Sequence, residues 1–242
     1  MKVSVLMASL ALPLAAQAKD ISVKITNLTN GIYFTPLLVA AHSNEVDFYN
    51  LGDPASEQLQ AMAEGGNISG LSAVASAFNA DIVENPAGGL LAPGHSASAE
   101  FNDIHHKNKY LSVTAMLLPT NDAFVGADAI KIPKKKGTYT YYLNAYDAGT
   151  EANNEVINGG GAPNTLGIPA APGGDGGTGG SGETIEEANQ TVHVHRGVLG
   201  DDSATGGTSD LDRTIHHWLN PVVKMEITVG CNKHRNYGKK CR

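Results

Sequence analysis

Ile21-Ser22-Val23-Lys24-Ile25-Thr26 alternates apolar and polar side chains at every step, the period of a strand that buries one face and wets the other. Asn27 to Gly31 then turns the chain, and Phe34–Ala41 is a short apolar run suited to a second strand. Further along, Tyr110–Leu118 ends at Pro119, Tyr139–Leu143 is rich in strand formers, and Val192–His195 and Val222–Val229 supply two more strands. Helical patterning is confined to Ser56–Glu64, with Ser56 as N-cap, Leu59 and Met62 on one face and Gly65-Gly66 as the stop, and to Leu71–Phe78. Short strands parted by turn residues, without regular strand–helix alternation, predict a mainly β chain: an antiparallel β-sandwich with short helices in its connections.

Composition agrees with that class. In 242 residues there are 28 Gly and 11 Pro, with 6% aromatic and 17% charged side chains, which suits one domain or at most two small ones and disfavours a helical bundle. Residues 159–182 hold 11 Gly and 3 Pro among 24 positions, too little apolar surface to offset their ordering entropy. They read as a disordered, flexible Gly-rich insertion in a surface loop of a domain spanning 19–230, a linker between two domains being the alternative.

The chain opens Met1-Lys2, runs apolar from Val3 to Ala16, and continues Ala16-Gln17-Ala18, a small-x-small pattern before a cleavage point. Residues 1–18 thus read as a signal peptide cut after Ala18, with a short buried helix as the alternative. Their apolar run falls short of the ~20 residues that cross a bilayer, so secretion or a periplasmic location is expected, with no membrane span.

Charge is divided unevenly. Residues 19–230 carry 11 basic against 24 acidic groups, or −13, whereas the tail holds Lys233, Arg235, Lys239, Lys240 and Arg242. The acidic body argues against a nucleic-acid partner, because neutralising phosphates needs a clustered basic surface. The tail, 231–242, reads as a polyanion contact or as a solvated end. Cys231 and Cys241 both lie in it, with nine residues between them, and an oxidising compartment makes a disulfide between them the expectation.

Three ordered blocks carry a family resemblance. Tyr33–Ser43 (YFTPLLVAAHS) is followed by an Ala55–Gly66 stretch; Leu117–Ile130 reads LLPTNDAFVGADAI; Tyr146–Asn153 reads YDAGTEAN. Together they resemble the spondin N-terminal domain, the module of the matrix proteins F-spondin and mindin and of many exported bacterial proteins. The resemblance implies an antiparallel β-sandwich and, as in animal members, a calcium ion near adhesive loops. Carried over by motif, the ligands are Asp122, Asp147 and Glu151. Ala123 stands where animal members have Trp, and Glu151 replaces the last Asp, lengthening that side chain by a methylene.

The residues suit that chemistry. Calcium takes six to eight oxygen ligands at ~2.4 Å from flexible loops, and Asp147-Ala148-Gly149-Thr150-Glu151 sets two carboxylates four residues apart around a glycine. Asp122 closes the set from a neighbouring loop, and Asp128 is a further acid nearby. The plain alternative makes Asp147 a turn residue and Glu151 a solvated one.

His193 and His195 share one face of a strand, so a zinc or copper site becomes possible if His105-His106 or His216-His217 brings a third ligand. Otherwise both are hydrogen-bonded sheet residues. No nucleophile elbow, His-Glu-x-x-His or phosphate-binding loop is present, and Ser43 beside His42 does not make a triad, since adjacent residues rarely face each other.

The expectation is therefore a non-enzymatic, exported spondin-like domain that binds calcium and acts in adhesion or ligand recognition, its partner a protein or glycan. The alternative is a periplasmic zinc- or copper-binding protein, or a small metalloenzyme, built on His193 and His195.

Overall fold

The computed structural model describes residues 19–174, 176–182 and 188–230. The expected signal peptide at 1–18 and the basic tail with Cys231 and Cys241 lie outside the described residues.

Among the described residues the strands are β1 (Lys19–Asn27), β2 (Tyr33–Phe34), β3 (Leu38–His42), β4 (Asp81–Glu84), β5 (Ser96–Ile104), β6 (Tyr110–Leu118), β7 (Ala123–Lys131), β8 (Gly137–Leu143), β9 (Ala145–Asp147), β10 (His193–Val194) and β11 (Val223–Val229). The helices are α1 (Glu57–Gly65), α2 (Ser69–Ala77) and the single-turn α3 (Arg213–His216). They build the mainly β, two-sheet sandwich that the alternation predicts. One sheet runs β5-β1-β11-β8, the other β10-β9-β7-β6-β3-β4 with β2 also on β6, and every strand pair is antiparallel.

The first sheet obeys the period-two rule. Ile21, Val23 and Ile25 of β1 and Met225 and Ile227 of β11 point into the core, while Lys24 sits opposite Glu226 on the outer face. β6 does not alternate: Leu111 to Leu118 are all buried, because one face joins the core cluster shared with the first sheet and the other lies under α1. Helix α1 begins as its sequence requires, with Ser56 Oγ accepting the Leu59 N–H, and it ends at Gly66 in the left-handed region. Leu59 and Met62 are fully buried on the covered face, and Thr114 of β6 meets the Met62 sulfur.

The run read as one strand over 34–41 is divided into β2 and β3. Thr35 keeps the intervening backbone on β6, exchanging hydrogen bonds with Met116 through its N–H and its hydroxyl. The Gly-rich segment has anchors on the body. Ile168 is fully buried, the Asn164 N–H donates to Glu64, and the N–H groups of Thr178 and Gly180 donate to Asp210. Among the described residues no helix is long and apolar enough to cross a membrane.

Candidate functional site

Asp122 immediately precedes β7, and Asp147 closes β9. In the ladder Asp147 lies opposite Ala123 on one side and His193 on the other, so the pairing β7-β9-β10 brings both groups of candidate ligands to one end of the sheet. The loop after β9 folds back onto Asp122. Its Oδ2 accepts the Thr150 N–H at 2.8 Å, the Glu151 N–H at 3.1 Å and the Thr150 hydroxyl at 3.2 Å. Gly149 makes that fold-back possible: its φ is +70°, and a Cβ there would sit 2.7 Å from the backbone of Gln190 and Thr191.

Asp147 organises the same loop. Oδ1 accepts the Gly149 N–H and Oδ2 the Asn153 amide, each at 2.8 Å. Both imidazole Nε2 atoms, of His193 and of His195, lie 3.8 Å from Oδ2, so the one-face placement expected from the period of two is realised around a carboxylate.

The two acids carry an electrostatic tension. Asp122 and Asp147 are both buried, and Asp122 Oδ1 has no hydrogen-bond partner. Burial first, and the Asp147 charge second, hold the Asp122 carboxyl well above the usual carboxylate range, against the hydrogen bonds that favour its ionised form. Glu151 is turned elsewhere. Its Oε1 accepts from Asn121 at 3.1 Å and from the Gly167 N–H, its Oε2 is buried without a hydrogen-bond partner, and burial pushes its carboxyl up to about 6, with the Glu64 charge adding to the shift. Thus Asp122 and Asp147 are neighbours, whereas Glu151 reaches Asp122 through its backbone. Among the described residues no three His, Cys, Asp or Glu side chains form a ready metal-holding group.

The histidines differ in what they can offer. His195 Nδ1 accepts the Gly197 N–H at 2.9 Å, so its proton sits on Nε2 and donates to Asn153 Oδ1 at 3.1 Å. Burial holds this ring neutral, with its pKa lowered to about 3, so neither nitrogen has a free lone pair. His193 donates from Nδ1 to the Thr191 carbonyl, which leaves Nε2 as an acceptor facing Asp147. The proposed third ligands are used otherwise: His216 Nδ1 accepts the Asp212 N–H, His217 Nδ1 bonds the Val198 carbonyl, and the His105 and His106 rings lie against each other.

Two amides belong to the site that residue type alone did not single out. Asn121 links Glu151 to Asn154 and the Glu155 N–H, and Asn153 bridges Asp147 to His195. Both lie inside the family-like blocks, and adjacency to Asp122 and Glu151 is their only sequence signal.

Asp128 is not part of this end. It occupies a bulge on β7, where Ser112 Oγ donates to its Oδ1 at 3.0 Å and accepts the Ala129 N–H at 2.9 Å. The hydroxyl against His42 Nε2 is that of Ser112, at 2.7 Å, while Ser43 offers His42 only its backbone carbonyl. His42 and Ser112 are fully buried, so this contact is a structural plug with no access for a substrate.

No curated protein matches the chain. The Spondin_N family model matches residues 25–157, more than half of the chain and a span that contains Tyr33–Ser43, Leu117–Ile130 and Tyr146–Asn153. With the two antiparallel sheets on which those blocks sit, this match places the chain in the Spondin_N family.

Proposed function

We propose that this exported spondin-like domain binds a calcium ion at the Asp122–Asp147 end of its larger sheet and uses the surrounding loops to recognise a protein or glycan. The observation that carries the reading is the buried Asp122 Oδ1, unpaired beside a second buried carboxylate. Such an arrangement costs free energy unless a proton or a cation compensates it. A hard cation suits the donor set, which is oxygen-rich: two carboxylates, the Asn153 amide and the carbonyls of two loops. When bound, the ion would supply positive charge that locks the 147–153 loop to the start of β7. Glu151 positions that loop through its backbone bond to Asp122, and its carboxylate would become the third for the ion only by leaving Asn121 and the Gly167 N–H. The reading is a binding module and not an enzyme.

Thermal unfolding of residues 19–242 after chelation, with calcium added back, tests it. A ligand held only by the native state raises stability by roughly 2.7 kcal/mol at a hundredfold excess over Kd. The expected result is an upward shift in the parent, none in Asp147→Ala, and a reduced one in Glu151→Gln. No calcium shift in the parent ends the calcium reading.

The second reading, a zinc or copper site, is favoured by the two Nε2 atoms at 3.8 Å from Asp147 Oδ2. Hydrogen bonding leaves only His193 ready to ligate, so it requires His195 to give up its bond to Asn153. A shift with zinc or copper alone, lost in His193→Ala, selects it.

A further inference from the structure

A cleft of about 500 Å³ opens on the opposite side of β9 from the carboxylates. Tyr146 and Asp147 are consecutive in that strand and so leave on opposite faces, Asp147 toward the histidines and Tyr146 into the cleft. Its walls are Tyr49, Asn50 and Leu51 from the loop after β3, the second half of β7 with Asp128, and Tyr142 at the end of β8.

The cleft is built and held. Tyr49 is seated directly on Gly126, where a Cβ would come within 2.6 Å of the phenol oxygen, so only glycine leaves room for the ring. Tyr49 then packs against Phe124 at 5.1 Å and Tyr146 at 5.4 Å between ring centroids. Asp128 is equally fixed, its Oδ1 taking the Phe48 N–H and the Ser112 hydroxyl, each at 3.0 Å. Tyr142, 62% exposed, stands at the open side.

The sign of the site follows from its lining. Among the described residues that line it, Asp128 is the one charged side chain, and Asp47 stands close enough for its charge to act on the same carboxyl. Like charges beside a partly buried carboxylate favour a cation between or before them, and the faces of tyrosine rings attract the same sign. Residues 19–230 as a whole are acidic, at −13, which favours approach of a cationic group. The approach is open to an extended chain, because β9 pairs with β7 only over Ala123–Val125 and β8 is the outer strand of its sheet.

From this geometry we infer that the Tyr49–Tyr142–Tyr146–Asp128 cleft is a recognition site for a lysine or arginine side chain presented by a partner protein. The aromatic rings take the alkyl stem and the charged head, and Asp128 accepts the N–H hydrogen bond. The site is independent of calcium, since none of its residues is a proposed ion ligand.

The test is an amide NMR titration of residues 19–242 with the N-acetyl methylamides of lysine and arginine. The norleucine counterpart serves as the uncharged comparison and methyl glucoside as a sugar. Expected are saturable shifts at Ala127, Ala129 and Ile130 with the charged probes only. Binding should weaken about fivefold in Tyr142→Ala, whose exposure makes it harmless to folding, and about tenfold in Asp128→Asn. It should be unchanged in Glu100→Gln, on β5 at the far edge of the sheet that carries Tyr142. Equal binding of the norleucine probe, binding of methyl glucoside instead, absence of any shift, or full affinity in Tyr142→Ala would each overturn the inference.

Discussion

Gly149 shows how one residue couples sequence to site. It needs φ +70° and lies against the Gln190–Thr191 backbone, so a methyl group there is both strained and obstructed, and the obstruction is backbone that cannot rotate away. Gly149→Ala should cost about 2–4 kcal/mol, read as a lower urea midpoint with an unchanged slope. It should also weaken any calcium response, because the N–H groups of Gly149, Thr150 and Glu151 are what hold Asp147 and Asp122.

Among the elements, β7 is shaped by its bulge. Burial pushes Asp128 up to about 6 from an ordinary 3.8, so the folded chain binds this proton more tightly than the unfolded one. Its ionisation therefore subtracts stability as pH rises from the unfolded value through about 6. Asp128→Asn is uncharged throughout. Its melting temperature relative to the parent, measured in chelator, should become more favourable from about pH 4 to about pH 6 and level off above that. A flat difference would show that Asp128 does not carry the proton. The strand also explains why the second family-like block ends as it does: Ala127 pairs with Val113, the bulge follows, and the chain resumes at Ile130 opposite Leu111.

For the whole molecule the issue is cooperativity. Val23, Ile25, Met225 and Ile227 of one sheet share a single core cluster with Leu38, Val113 and Phe124 of the other, and Ile168, Val198 and Trp218 from the long connection after β9 belong to it too. Trp218 is the only tryptophan, is buried, and packs on the His195 ring at 5.1 Å. Its fluorescence reports that connection, while far-ultraviolet circular dichroism reports the sheets. The two should lose signal in one coincident transition, as expected of a single cooperative unit. Separate midpoints would mean that the connection carrying β10 unfolds by itself.

Period-two alternation in Ile21–Thr26 and Val222–Val229, the unbroken apolar run of Tyr110–Leu118 and the Ser56 cap were enough to read mainly β architecture with short helices from the chain alone, since these are local properties of backbone and side-chain period. β5 escaped notice because its inward positions Ala97 and Ala99 are small, and β4 and β9 because they are too short to establish a period. The acids Asp122, Asp147 and Glu151 were visible as a motif, but which of them meet was not. Asp122 and Asp147 become neighbours through the β7–β9 pairing, and a different packing partner, Gly167, draws the Glu151 carboxylate away. Likewise no spacing announces that Asp147 faces His193 and His195 from 46 and 48 residues away, or that Tyr49, Tyr142 and Tyr146 share a cleft with Asp128. Local periodicity decides which segments become strands; contacts between distant segments exist only once those strands are ordered and in register, so the tertiary structure alone decides which side chains can act together.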